Sequence, residues 1–162
     1  MNIIIADDEP LALEMTCEAV REVCPEANIY PFSKPSRLLE FAKETRCKIA
    51  FLDICMRGVS GIDVAKQLKD RKARRVIVCT TFGLFTDGLE KFDEYYEKGY
   101  IYRVITTNLN YRNPDLLNRP YYLEADMSKY LASIMDILNH DLSVEKVRST
   151  TKKINMLLNR FS

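Results

Sequence analysis

The sequence has almost no excess charge, one histidine and no long apolar run. Each shortage removes a class of function. The 24 lysines and arginines nearly cancel the 23 aspartates and glutamates, leaving a net charge of +1 over 162 residues. A chain that coats nucleic acid is usually far more basic, and a disordered tail far more one-sided. No apolar stretch approaches the roughly 20 residues that span a bilayer. The early apolar run Ile3–Ile5 is followed at once by Asp7-Asp8-Glu9, so neither a signal peptide nor a membrane partner is expected. The expected location is the cytoplasm. Cys17, Cys24, Cys47, Cys55 and Cys79 are odd in number and lack a Cys-x-x-Cys spacing. They read as buried free thiols in a reducing compartment, not as a disulfide frame or zinc site. The lone His140 argues against a His-rich metal centre and would have to be the base of any Ser-His or Cys-His hydrolase. Internal repeats, low-complexity tracts and interdomain linkers are also missing.

What is present is an alternation of short apolar runs and amphipathic stretches. With 47% hydrophobic and 29% charged residues, this is the make-up of one soluble domain. Such a length buries roughly two-thirds of the unfolded surface. Strands are expected at 2–6, 28–31, 48–53, 75–80, 103–107 and 121–124. Helices are expected at 10–23, where Leu11, Met15, Ala19 and Val23 form an apolar face, and at 36–44, capped by Ser33 or Ser36. Further helices are expected at 62–72, 88–98, 128–139 and 144–161, with one short turn over 115–117. Strands separated by helices imply parallel pairing through right-handed crossovers. Runs such as Ile3-Ile4-Ile5 and Val76-Ile77-Val78 suit strands covered on both faces. The fold class is therefore α/β, a three-layer doubly wound parallel sheet. The strand order is 2-1-3-4-5 with a sixth strand at the edge.

Ligands bind such sheets at the carboxyl ends of the strands. Those ends carry Asp7 and Asp8, Asp53, Thr80, and Thr107 with Asn108. In the order 2-1-3 the three carboxylates converge, and converging carboxylates repel unless a cation offsets them. An oxygen-only cluster suits Mg²⁺.

Residues 1–70 resemble a bacterial response-regulator receiver domain of the LytTR-regulator type. The resemblance rests on Ile-Ile-Ala-Asp-Asp-Glu-Pro at 4–10, Ala-Phe-Leu-Asp-Ile at 50–54, and Met56, Gly58, Ser60 and Gly61 beyond. It implies Asp53 as phosphoacceptor. It also implies Mg²⁺ held by Asp7, Asp8, Asp53 and the backbone carbonyl of Cys55, Thr80 as the switch hydroxyl, and a sensor histidine kinase as partner. Arg57 stands where the family usually has proline. The family's lysine at the end of the fifth strand is missing. Arg103 could replace it only if the strand ended there, and the strand is expected to run to Thr107-Asn108.

Residues from about 63 to 162 resemble the C-terminal part of a ribose-phosphate pyrophosphokinase, through segments 78–86, 88–92, 104–108, 117–122 and 125–130. This second resemblance implies a chimera with a junction within 58–72, a receiver-like half at 1–70 and a phosphoribosyltransferase-like half at 71–162. It leaves Thr81, Gly83 and Thr86, with Thr80, as a candidate phosphate turn at a helix start. No complete catalytic site follows, so the chain is not expected to be an enzyme. Three functions stay open: a Mg²⁺-binding phosphoacceptor with impaired signalling, a structural chimera without activity, and residual phosphate or nucleotide binding. Tyrosines at 95–130 suit either internal packing or a homodimer interface.

Overall fold

A computed structural model of the chain describes residues 1–140. It contains six strands, β1 (Asn2–Ala6), β2 (Asn28–Phe32), β3 (Ile49–Asp53), β4 (Arg75–Thr80), β5 (Arg103–Thr107) and β6 (Tyr122–Ala125). The helices are α1 (Pro10–Val23), α2 (Pro35–Glu44), α3 (Gly61–Asp70), α4 (Glu90–Glu97), α5 (Pro114–Leu117) and α6 (Ser128–Asn139). The sheet is parallel throughout, in the order β2-β1-β3-β4-β5-β6, as the periodicity requires. Residues 1–125, with all six strands, form one compact unit, and a second unit begins at Asp126. Both stretches assigned to different ancestries therefore contribute strands to one sheet. The helix expected at 144–161 lies outside the described residues.

Alternation along the strands sorts side chains onto two faces. Ile4, Ala6, Ala50, Leu52, Val76, Val78 and Val104 join α2, α3 and α4 in the larger core, through Leu38, Val64, Ala65, Leu68 and Phe92. Ile3 and Ile5 pack with Cys17 on the opposite face, flanked by Leu13, Val20, Ile29 and Phe51. Burial on both faces explains why β1 is an unbroken isoleucine run.

Several expectations need correction. The face of α1 that turns inward is Leu13–Cys17–Val20. Leu11, Met15 and Val23 are exposed, at 61%, 56% and 43%. Successive residues rotate by about 100° around a helix, so the two stripes cannot both face the sheet. Neither Ser33 nor Ser36 caps α2: its N-cap is Lys34, with Pro35 starting the helix. The third helix stops at Asp70, and Lys72 beyond it takes a left-handed φ of 67°. The fourth starts two residues late, at Glu90, because Gly88 is in a turn at φ 83°.

The edge of the sheet is tied to α4 by a polar cluster. Arg119 donates from Nε and Nη2 to the two carboxylate oxygens of Asp93, at 2.8 Å each. Tyr121, 1% exposed, donates its hydroxyl to the same carboxylate at 2.7 Å. Burial opposes ionisation of Asp93, but the bonds from Arg119 and Tyr121 outweigh it and lower its pKa. Tyr121→Phe is expected to cost about 1–2 kcal/mol in urea denaturation, because a charge-assisted bond to a partly covered carboxylate is lost. A lowered carboxyl pKa contributes stability above its unfolded value and loses it as pH falls through the folded one. The difference between the two proteins should therefore narrow in acid.

Candidate functional site

Adjacent parallel strands bring their carboxyl ends to one edge. β1 and β3 pair through Ala6↔Leu52, so Asp7, just past β1, stands beside Asp53, the last residue of β3. Asp7, Asp8 and Asp53 each present one carboxylate oxygen, all within 4.8 Å of one another.

Local backbone bonds set each acid. Asp7 Oδ1 accepts the Glu9 N–H at 2.9 Å, a turn that leads into Pro10 at the start of α1. Asp53 Oδ2 accepts the Cys55 N–H at 2.9 Å. Asp8 Oδ2 accepts the Arg57 N–H at 3.2 Å and pairs with Arg57 Nε at 3.2 Å. The loop after β3 is closed by the Gly61 N–H, which donates to the Ile54 carbonyl at 3.0 Å. Ser60 then caps α3 by accepting the Ile62 N–H.

The cluster is electrostatically loaded. Burial, and then the charge of Asp7, push the Asp53 carboxyl above the ordinary range. Burial likewise raises Asp7, reinforced by Asp8 and Glu9. Burial pushes the neighbouring Cys79 thiol up to about 12, helped by Asp53 and Asp7, so it stays protonated and unreactive. Cys55 is exposed, but burial of its thiol and the nearby acids raise it as well.

Thr80 ends β4 and lines a cleft of about 400 Å³ together with Asp7, Asp53, Thr81 and Thr107. Gly83 and Thr86 line a different cleft, beside Phe85 and Lys91. The candidate phosphate turn has Thr80 in both clefts, and only Thr81 is confined to the first. The turn's carbonyls are engaged: Thr107 Oγ1 donates to Thr81 O, and Asn110 Nδ2 donates to Gly83 O at 3.2 Å.

β5 ends at Thr107, as its β-branched run suggests, and Arg103 begins it. Arg103 bonds the Tyr102 carbonyl and stacks on the Tyr102 ring at 4.5 Å, at the strand end away from the carboxylates. It cannot stand in for the missing lysine. Among the described residues, the basic side chain paired with these acids is Arg57. Its position was visible in the sequence as a replaced proline, but its pairing with Asp8 was not.

A profile of the response regulator receiver domain matches residues 3–100. That span crosses residues 58–72 and takes in β4 and α4, and β3 pairs with β4 in unbroken register from Ile49↔Arg75 to Asp53↔Cys79. The pyrophosphokinase resemblance and the chimeric origin find no support in these comparisons. Over 94 residues the chain is 36% identical to the positive alginate biosynthesis regulatory protein of Pseudomonas aeruginosa, covering 57% of this chain and 37% of that one. It is 29% identical to the sensory transduction protein LytT of Oceanobacillus iheyensis, covering 57% of this chain and 38% of the relative. The cyclic di-GMP phosphodiesterase response regulator RpfG of Xanthomonas campestris is 29% identical over 86 residues, 51% of this chain and 23% of its own length. The chain therefore spans well under half of these relatives. Among solved structures, the response regulator TrrA of Thermotoga maritima, in complex with Mg²⁺-BeF, superposes with a TM-score of 0.54 at 18% identity, covering 84% of this chain and 97% of that one. The chemotaxis response regulator CheY4 of Vibrio cholerae gives a TM-score of 0.53 at 16% identity, covering 67% and 88%. Those two likenesses speak for the fold. No helix among the described residues is long and apolar enough to cross a membrane. With the sequence profile covering more than half of the chain, the protein belongs to the response regulator receiver domain family.

Proposed function

We propose that the protein is a phosphoacceptor module of a two-component system, with Asp53 as the accepting residue and Asp7, Asp8, Asp53 and the Cys55 carbonyl as the Mg²⁺ site. The supporting observation is the triplet of carboxylate oxygens within 4.8 Å, two of whose acids have raised pKa values. Three mutually repelling oxygen donors suit a hard cation. When bound, Mg²⁺ supplies the positive charge that lets a phosphoryl group approach.

The chain's own part is nucleophilic. An Asp53 carboxylate oxygen attacks the phosphorus of a phosphohistidine or of acetyl phosphate. The bond from phosphorus to the donor nitrogen or oxygen breaks, its electron pair leaves with the donor, and an acyl phosphate forms. The Cys55 N–H, already on Asp53 Oδ2, orients the carboxylate. Thr80, in the same cleft, is the hydroxyl that reads the new phosphoryl oxygens. A sensor histidine kinase is the corresponding donor.

Signalling is weakened in this reading. β5 delivers Thr107 to the cleft, where a cation would otherwise meet the phosphoryl oxygens. The module passes on a phosphoryl state and does not turn over a substrate. Incubation with Mg²⁺ and acetyl phosphate, followed by intact mass measurement, should show one added phosphoryl group. Beryllofluoride should give a corresponding noncovalent complex. No adduct and no Mg²⁺ binding would leave an inert scaffold. Phosphate binding lost on Thr86→Ala, without dependence on Asp53, would favour the turn at 81–86 instead.

A further inference from the structure

We propose that Arg57 is a tethered cation that competes with Mg²⁺ for Asp8, so that the metal must displace its guanidinium to bind. This rests on the metal-site reading above. One oxygen, Asp8 Oδ2, carries both contacts to Arg57, the backbone N–H and the Nε, each at 3.2 Å. The two side chains are in opposite settings: Asp8 is 18% exposed and Arg57 93%. The acid is the costly group to leave without a counter-charge. The guanidinium is already almost wholly in water and is cheap to release.

The loop is built so that the side chain can leave while the backbone stays. Met56, just before Arg57, is 5% exposed and belongs to the main core. Gly58, just after it, turns the chain at φ 84° with open space where a Cβ would sit. The Arg57 N–H is therefore fixed toward Asp8 by packing and turn geometry, whereas the guanidinium has no such anchor. Arg57 thus occupies part of the metal's coordination space when the metal is away, and it sets the Mg²⁺ concentration at which the site fills.

Isothermal titration with Mg²⁺ tests this on wild type, Arg57→Gln and Lys34→Gln. Lys34 lines the cleft that also contains Asp8 and Arg57, so it controls for a general loss of positive charge. Arg57→Gln should bind Mg²⁺ roughly twofold to fivefold more tightly at low salt, the worth of an exposed ion pair. The gain should fade at about 0.5 M salt, where such pairs are screened. Equal or weaker binding by Arg57→Gln overturns the competition, as does an equal gain from Lys34→Gln. In those cases the metal site itself stands. Absence of Mg²⁺ binding by every protein overturns both the competition and the metal-site reading.

Discussion

Asp53→Asn should abolish phosphorylation by acetyl phosphate and, at neutral pH, make the protein more stable. The first effect follows from chemistry: an amide offers no anionic oxygen, so no acyl phosphate forms, and a loss of at least about a hundredfold is expected. The second follows from the electrostatic load. Asp53 is held above its ordinary pKa by burial and by Asp7, so ionising it in the folded protein costs more than in the unfolded chain. For a carboxyl with a raised folded pKa, the folded state binds more protons between the two values. The penalty is absent below the unfolded pKa of 3.8, grows as pH rises toward the raised folded value, and is constant above it. The variant keeps the bond from the Cys55 N–H through its amide oxygen, so little is lost in exchange. A gain of about 1 kcal/mol is expected at pH 7, a few degrees in Tm. The gap should close in acid, and saturating Mg²⁺ should shrink it by stabilising the wild type. A variant that melts below wild type at pH 7 would contradict this account of the cluster.

Gly61→Ala should be among the most damaging small substitutions in the chain. A Cβ at this position would lie 2.0 Å from the Asp53 carbonyl oxygen and 2.9 Å from its carbon. Both atoms are backbone, so no flexible side chain can yield. The same glycine donates its N–H to Ile54, which fastens the start of α3 to the end of β3. Relief requires moving either the helix or the strand end. The expected cost is about 3 kcal/mol, a large share of a total of roughly 5–15 kcal/mol. Gly58→Ala is the informative comparison. Nothing lies within 4 Å of its Cβ, and only its φ of 84° resists, at about 1–2 kcal/mol. Urea denaturation ranks the two. Phosphorylation of the folded fraction should fall further for Gly61→Ala, because the atom it strikes belongs to Asp53, the proposed accepting residue. Equal stability losses would show that the β3–α3 loop is softer than its packing implies.

Much of the site was legible because it depends on short-range rules. Apolar runs broken by acids mark where parallel strands end, and strand ends are where such sheets place chemistry. Asp7, Asp8, Asp53 and Thr80 were accessible from that alone, as was the end of β5 at Thr107. Other features were not. The bidentate hold of Arg119 on Asp93 spans 26 residues, with no pattern to announce it. Segments that resemble a second family suggested a junction within a helix, yet the receiver profile continues to residue 100. Helix α3 and strand β4 satisfy the same alternation in either ancestry, so periodicity could not choose between them.

Helix α1 shows the division most clearly. Its residues carry two apolar stripes, Leu11–Met15–Val23 and Leu13–Cys17–Val20, and the sequence alone establishes only that a helix exists and is amphipathic. The packed sheet selects the second stripe, because Ile3, Ile5, Ile29 and Phe51 lie beneath it. Arg57 repeats the lesson at the site: its charge is evident from the sequence, but its partner is set by a contact across 49 residues. Helix and strand periods arise from bonds within a few residues and can be read along the chain. Which face is buried, and which acid meets which base, is decided by the energy of contacts that exist only after the chain has closed on itself.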